Sequence, residues 1–256
     1  PQSFINIMDI PLYNKYSTSI MHIQGMRMKY IFLAPHLDDV VFSCGGIIKE
    51  MCNKKIDVGV YTIFAGYPDM LSKTAKSFFH LKNVEEARQM VVIRKLEDYR
   101  ALQKLGIVDR FHFNFLDAPF REEGFGQPSK DLVKRIAMEV NKFVGECNLV
   151  VPYGIGNHVD HVVTRKAGEM IGKVMYYADF PYMYFDKENY DNLLEKENTS
   201  IEVSQQSFEI WKAAALEYKS QLASIFTSRI SLEKYWETNR SQAIYCCRAP
   251  QTIKLK

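Results

Sequence analysis

Cysteine is scarce in this sequence, and the pattern of its cysteines argues against a zinc-ribbon domain and against a domain stabilised by disulfides. Five cysteines stand among 256 residues, an odd number, and none belongs to a pair with the spacing of a zinc ribbon. The pattern favours reduced thiols over the disulfides of a secreted domain. The first 30 residues also lack a basic start followed by an apolar run, so we expect a cytoplasmic protein without a signal peptide.

Long apolar runs and an excess of charge are also missing. No stretch approaches the roughly 20 apolar residues of a membrane span, and the net charge of +3 comes from scattered basic residues. The sequence therefore predicts neither a membrane-spanning nor a nucleic-acid-binding protein. With 47% hydrophobic and 25% charged residues the composition is that of a globular protein. We expect a small-molecule partner, and nothing in the sequence indicates an oligomeric state.

Apolar runs alternate with amphipathic segments from residue 29 onward. Strands are predicted at 30–34, 56–64, 111–116, 149–152, 174–177 and 242–247. Helices are predicted at 39–52, 83–105, 131–146 and 207–226, with a further helix ending near 170. This alternation predicts an α/β fold with a mostly parallel sheet flanked by helices, and its site lies at the carboxyl ends of the strands. We expect one domain over residues 29–256, preceded by an N-terminal extension over residues 1–28.

The first group of potential metal ligands directly follows the first predicted strand. His36 and Asp39 stand three positions apart and can turn toward one point. Imidazole nitrogen and carboxylate oxygen suit zinc or a similar divalent ion. The remaining carboxylate, Asp38, can take a proton from a water whose pKa the metal lowers. In the alternative interpretation the two aspartates only cap the helix and His36 is an ordinary loop histidine.

A second group follows the fourth predicted strand and leads into a helix. His161 could complete a site of two nitrogens and one carboxylate that leaves positions open for water and substrate, as in catalytic zinc sites. His158, as an imidazolium, could donate to an oxyanion while Asp160 orients it or keeps it charged. Taken alone, such a pair of histidines more often marks the start of a surface helix. However, three of the six histidines stand with aspartates at two strand-to-helix junctions of one predicted sheet.

These motifs resemble those of the PIG-L or LmbE-like deacetylases, which read A-H-P-D-D and, later, H-x-D-H. Corresponding segments stand at 35–39 (PHLDD), 45–46 (GG), 94–106 (RKLEDYRALQKLG), 158–161 (HVDH) and 218–221 (YKSQ). The order and spacing agree with the family, and the segments span most of the chain. Three departures occur. Leu37 replaces the motif's proline, Val40 stands where the family often has glutamate, and positions 154–157 lack the aromatic residue that some members place before His158.

The resemblance implies a Rossmann-like (LmbE-like) fold and a zinc-dependent hydrolase that removes an acyl group, usually acetyl, from an N-acylated amino sugar or glycoconjugate. It implies three metal ligands, His36, Asp39 and His161, for zinc or another divalent ion such as Fe²⁺. Asp38 would then be the general base, and His158, supported by Asp160, would stabilise the oxyanion. Asp117, after the third predicted strand, corresponds loosely to an acid that contacts substrate, or it caps a turn.

Several alternatives stay open at the level of sequence. The same site could belong to a metal-dependent amidase acting on a thiol conjugate or an acylated natural product, or to a non-catalytic, metal-dependent sugar-binding protein. A nucleotide-binding protein is disfavoured because Gly45-Gly46 lacks the G-x-G-x-x-G pattern. The aromatic residues of segment 176–185 could form a wall for sugar rings, or they could be core or subunit contacts. Arg94 and Glu97 are expected to form a structural pair.

Overall fold

Apolar segments form the strands of one sheet in the computed structural model, which describes residues 29–226, 231–239 and 241–246. The strands are β1 (Lys29–Ala34), β2 (Asp57–Thr62), β3 (Asp109–His112), β4 (Asn148–Pro152), β5 (Val174–Tyr177), β6 (Glu197–Glu202) and β7 (Ser241–Cys246). Their order is β3-β2-β1-β4-β5-β7-β6. The first five strands pair in parallel, and β6 and β7 are antiparallel additions at one edge. The predicted mostly parallel sheet is confirmed.

Helices cover both faces of this sheet. They are α1 (Asp39–Asn53), α2 (Lys73–Phe79), α3 (Val84–Leu105), α4 (Lys130–Val144), α5 (Val159–Ile171), α6 (Lys187–Leu194), α7 (Gln205–Ala215), α8 (Lys219–Ile225) and α9 (Leu232–Thr238). Because side chains alternate along a strand, Phe32 faces the α1, α3 and α7 side while Ile31 and Leu33 face α4 and α5. Among the helices of the described part, none combines the length and apolarity that crossing a membrane requires.

Several segments differ from their predicted extent. The third strand ends at His112, because its partner β2 ends at the paired residue Thr62. The helix predicted over 207–226 is divided into α7 and α8, because the Glu97 carboxylate accepts the backbone N–H and the hydroxyl of Ser220 and so starts a new helix. The short elements α2, α6, α9 and β6 are not predicted, since they carry little periodicity. The predicted extension over 1–28 and the end of the last predicted strand, Cys247, lie outside the described residues.

The paired glycines of α1 allow close packing of helix on helix. A Cβ atom at Gly45 would lie 2.2 Å from the ring of Trp211 on α7, and one at Gly46 would lie 2.7 Å from Val203. Trp211 is fully buried and donates its indole N–H to the carbonyl of Val41 at 2.6 Å. The glycine pair is therefore explained by the packing of α7 on α1, which holds the first motif at the start of α1.

Replacement of Gly45 by alanine is expected to lower the free energy of unfolding by about 1–3 kcal/mol, the usual cost of overpacking a core. The added methyl group cannot be accommodated unless Trp211 moves and loses its hydrogen bond. Gly172→Ala is the matched control, because its backbone is extended and a Cβ there meets nothing within 4 Å. Urea unfolding of both variants measures the difference, and equal stabilities would contradict the packing argument.

Candidate active site

Two neighbouring strands place the predicted motifs side by side. β1 ends at Ala34 and β4 at Pro152, the two strands pair in parallel, and their carboxyl ends open at the same edge of the sheet. His36 therefore lies 5.2 Å from His158 and 5.5 Å from His161, measured between ring centroids. The residues of both motifs meet in one cluster at the predicted edge.

Asp39 stands between the two histidines predicted to bind metal. Its Oδ2 atom is 3.1 Å from Nδ1 of His36 and 3.3 Å from Nε2 of His161. One ligand atom from each residue lies within 4.8 Å of the others. Both separations from Oδ2 are shorter than twice a zinc–ligand bond of about 2.1 Å, so one ion can contact all three residues. The group fits a divalent metal, and the assignment of these residues as ligands stays a prediction.

Each of these histidines also contacts a buried carboxylate through one of its ring nitrogens. Nε2 of His36 lies 3.1 Å from Asp160, and Nδ1 of His161 lies 2.6 Å from Asp179. Both aspartates are fully buried. Such contacts fix the ring orientation and increase the basicity of a metal-binding histidine. Asp179 was not predicted. Its signal in the sequence is its place two residues after β5, at the same edge of the sheet as the two motifs.

The role predicted for Asp160 as a carboxylate that orients His158 needs correction. Its carboxylate contacts His36, the backbone N–H of Ala118 at 2.9 Å and the guanidinium of Arg121 at 2.7 Å. The hydrogen bond to His158 comes from the backbone instead, because His158 is the N-cap of α5 and its Nδ1 accepts the N–H of Asp160 at 3.2 Å. A neutral His158 therefore carries its proton on Nε2 and can donate it.

Asp38 is the motif carboxylate outside the metal-ligand group. It occupies the N-cap position of α1, yet its side chain makes no capping hydrogen bond and instead lines a pocket above the cluster. The interpretation in which Asp38 only caps the helix is therefore wrong for its side chain. Asp39 likewise uses its carboxylate within the cluster, where it accepts the backbone N–H of His36 at 2.8 Å.

The charges of the cluster favour a cation at the ligand group. Burial lowers the pKa of His161, but the carboxylates of Asp39 and Asp179 outweigh it and raise that pKa to about 9. Burial, together with the charge of Asp39, raises the pKa of Asp38 to about 7. Burial also lowers the pKa of His158 to about 4, so this ring is neutral near pH 7 and not the predicted imidazolium. A bound divalent ion would lower the pKa of Asp38 and keep it a carboxylate.

The pocket above the cluster has a volume of about 510 Å³, and Asp117 and Arg94 line it. Asp117 lies 3.4 Å from Nε2 of His36, and the Arg94 guanidinium lies 3.9 Å from the Asp117 carboxylate. The predicted structural pair of Arg94 with Glu97 is wrong, because the Glu97 carboxylate accepts two hydrogen bonds from Ser220 while Arg94 faces the pocket. Among the described residues, the buried Nε of Arg94 has no hydrogen-bond partner.

A comparison with sequence models of protein families identifies the family of this chain. The sequence model of PIG-L, described as GlcNAc-PI de-N-acetylase, matches residues 31–171, which is more than half of the chain. This chain belongs to the PIG-L family. The matched region includes every residue predicted for the site, with the histidines and aspartates of both motifs and Asp117, whereas Asp179 and the pocket residues of α8 follow it.

Other comparisons place this PIG-L protein beside deacetylases. The 2'-N-acetylparomamine deacetylase of Niallia circulans is 26% identical over 232 residues, which are 78% of this chain and 83% of that protein. The deacetylase of the A40926 pseudoaglycone has a TM-score of 0.72 at 24% identity and covers 86% of this chain and 97% of its own. A zinc-inhibited form of teicoplanin deacetylase has a TM-score of 0.70 at 22% identity, covering 87% and 100%. These structures show that the fold is shared, and the predicted LmbE-like fold is confirmed.

Tyr182 places an aromatic ring beside both histidines of the second motif in this PIG-L protein. A Cβ atom at Gly156 would lie 2.5 Å from the Tyr182 ring, so the glycine makes room for it. The ring centroid lies 5.2 Å from that of His161 and 6.0 Å from that of His158. Of the aromatic residues predicted as a wall, Phe180 and Tyr182 line the pocket. Tyr177, by contrast, is fully buried in the core and bonds to the carbonyl of Leu33.

Replacement of Asp179 by asparagine is expected to weaken zinc binding by about 10–100-fold, the usual effect of losing a carboxylate behind a metal-binding histidine. One oxygen of Asp179 contacts His161 and the other accepts the N–H groups of Gly154 and Ile155. An asparagine amide has one oxygen instead of two, so it cannot accept hydrogen bonds from His161 and from the loop N–H groups with separate oxygens. Competition with a chromogenic chelator measures the zinc affinity.

The matched control for this variant is Asp186→Asn. Asp186 also accepts a backbone N–H of the same loop, from Gly156 at 3.0 Å, but it is a half-buried residue that caps the start of α6 and contacts no histidine of the site. It should keep the zinc affinity of the unmodified protein. An unchanged affinity in the Asp179 variant as well would show that this carboxylate does not support the site.

Proposed function

We propose that this protein is a metal-dependent hydrolase that removes an N-acetyl group from an amino sugar. The observation that carries the proposal is the position of Asp38. Its carboxylate is not used by the helix and faces the pocket beside a three-ligand group whose two histidines are each held by a buried carboxylate. Membership of the PIG-L family and the deacetylase activities named for the relatives support this proposal.

The residues that would hold the metal are His36, Asp39 and His161, and we propose zinc, with Fe²⁺ as the alternative. When bound, the ion supplies a Lewis acid that polarises the amide carbonyl and lowers the pKa of a water. A second group, formed by His36, His158 and Asp160, also has ligand atoms within 4.8 Å of one another. It suits a metal less well, because Asp160 is already paired with Arg121.

Asp38 would transfer the protons of the reaction. Its carboxylate accepts a proton from the water as the C–O bond forms, and it returns that proton to the nitrogen as the C–N bond breaks. The direct products are acetic acid and a free amine; the acid then gives its remaining proton to the amine or to solvent and leaves as acetate, so atoms and charges balance. His158 would donate its Nε2–H to the carbonyl oxygen as negative charge develops there. Asp160 would act through His36, whose ring it orients, and is therefore a positioning residue.

Asp117 and Arg94 would recognise the sugar. A carboxylate accepts hydrogen bonds from hydroxyl groups and a guanidinium donates them. The pair can therefore hydrogen-bond to neighbouring hydroxyl groups of a pyranose. Both side chains face the pocket within reach of His36. The ring of Tyr182 lines another part of the pocket and suits the apolar face of a sugar ring.

The test is a screen for acetate release by the full chain purified without chelators. Elemental analysis identifies the bound metal, and N-acetylated amino sugars and glycosides are then assayed for acetate and free amine in equal amounts. We expect release from at least one N-acetylglucosamine conjugate. Metal-dependent sugar binding without turnover of any of them would instead support the non-catalytic alternative and overturn the proposal.

A further inference from the structure

We infer that the amino sugar on which this protein acts carries a hydrophobic aglycone, aryl or alkyl, which binds an aromatic surface at the mouth of the pocket. The inference rests on the proposed function and adds the chemical class of the group attached to the sugar. The aromatic surface consists of Phe78 and Phe79 on α2 and Phe125 in the loop after Phe120, and all three of its residues line the pocket.

The aromatic surface is continuous with the reaction centre. The Phe125 ring lies edge-on to His158 at 5.7 Å between centroids, and it contacts Phe78 at 5.2 Å. Phe78 in turn contacts Phe79 at 4.8 Å, and Phe79 stacks on Phe120 at 5.5 Å. A sugar whose amide reaches the metal-ligand group would therefore place its next substituent on these rings.

Packing accounts for the inner rings of this series but not for the outer ones. Phe120 is buried in a small core cluster with Ala75 and Ala87, and Phe79 packs against it. Phe78 and Phe125 belong to none of the hydrophobic clusters of the described residues, and they are 56% and 44% exposed. Neighbouring exposed phenylalanines beside a pocket mark a surface that a ligand covers. Because the aromatic surface is continuous with the site, the ligand that covers it is the group attached to the bound sugar.

The carboxylates of the pocket lie apart from its aromatic surface. Its lining carboxylates, within the described part of the chain, are Asp38, Asp39 and Asp117. Asp39 and Asp117 contact His36, and Asp38 is the proposed base. None of the three lies on the aromatic surface, so an aglycone bound there has no carboxylate of the pocket lining with which to form an ion pair. A neutral apolar group is matched to that surface.

The experiment compares three substrates with the metal-loaded full chain: phenyl and methyl N-acetyl-β-glucosaminide, and N-acetylparomamine. We expect kcat/KM for the phenyl glycoside to exceed that for the methyl glycoside by about ten-fold or more, mainly through KM. Phe78→Ser should bring this ratio close to one. Phe185→Ser is the matched control, since Phe185 is 52% exposed but does not line the pocket, and it should keep the ratio.

A ratio near one in the unmodified protein, a ratio unaffected by Phe78→Ser, or a preference for N-acetylparomamine would overturn the inference while deacetylation itself stands. Absence of turnover on all three substrates would overturn the proposed function and the inference with it. Because the readout is a ratio measured on one protein sample, partial unfolding of a variant lowers both rates equally and does not imitate the expected result.

Discussion

Replacement of Asp38 by asparagine is expected to lower kcat by about 10²–10⁴-fold while the protein keeps its metal, because a positioned general acid or base contributes about that much to a rate. An asparagine amide has nearly the shape of the carboxylate but cannot accept the proton of the water. Asp38 lies outside the group of His36, Asp39 and His161, so the variant should retain the metal content of the unmodified protein.

Steady-state kinetics and elemental analysis of the same sample separate these two effects. Asp69→Asn is the matched control, since the Asp69 side chain is 92% exposed and pairs with Arg88 away from the pocket lining. It should change neither kcat nor metal content. If the Asp38 variant kept full activity, another group would have to be the base. If it lost its metal, Asp38 would be a ligand instead of the base.

Replacement of His161 by alanine is expected to remove both the metal and the activity. His161 is almost fully buried and links Asp39 on one side to Asp179 on the other. Its loss takes away one of the three predicted ligands and leaves the carboxylates of Asp39 and Asp179 facing a cavity. Unsatisfied buried polar groups cost about 1–3 kcal/mol each, so the free energy of unfolding should fall as well.

The control for this variant must also lose a contact between histidine and a buried aspartate. His112→Ala does so, because His112 contacts Asp98 at 2.7 Å away from the ligand group. It should lose stability but keep its metal.

In the unmodified protein, chelation should abolish activity and one equivalent of zinc should restore it, whereas the His161 variant should not recover. An unmodified protein that binds no divalent ion and gains no activity from zinc would contradict the metal-dependent function.

The parts of the site that lie close together in sequence could be predicted from it. A short apolar run that ends at a proline is a strand in both motifs, and a helix follows at once, so the direction of the intervening loop is set locally. Parallel strands bring their carboxyl ends to one edge, and this is why His36 and His161 could be expected to meet. The family resemblance added roles for these residues, and those roles stay predictions.

Contacts between side chains from distant elements could not be predicted. Proximity in sequence favours a contact of Asp160 with His158, yet the start of α5 turns the Asp160 carboxylate toward His36 and Arg121. Their position on one helix predicts a pair of Arg94 with Glu97, although Ser220 at the start of α8 donates to Glu97 and Arg94 faces the pocket. Neither outcome is visible in local spacing.

The sequence by itself determined the class of fold and the residues that gather at one edge of the sheet, because apolar periodicity and strand-to-helix junctions are local properties. The tertiary structure alone decided which buried carboxylate contacts His36 and which contacts His161. It also decided that Tyr182 lies beside His158 and that phenylalanines form the hydrophobic surface of the pocket. These features depend on which distant elements pack together. Tyr182 illustrates the reason, since it fills a space that a glycine 26 positions earlier leaves open.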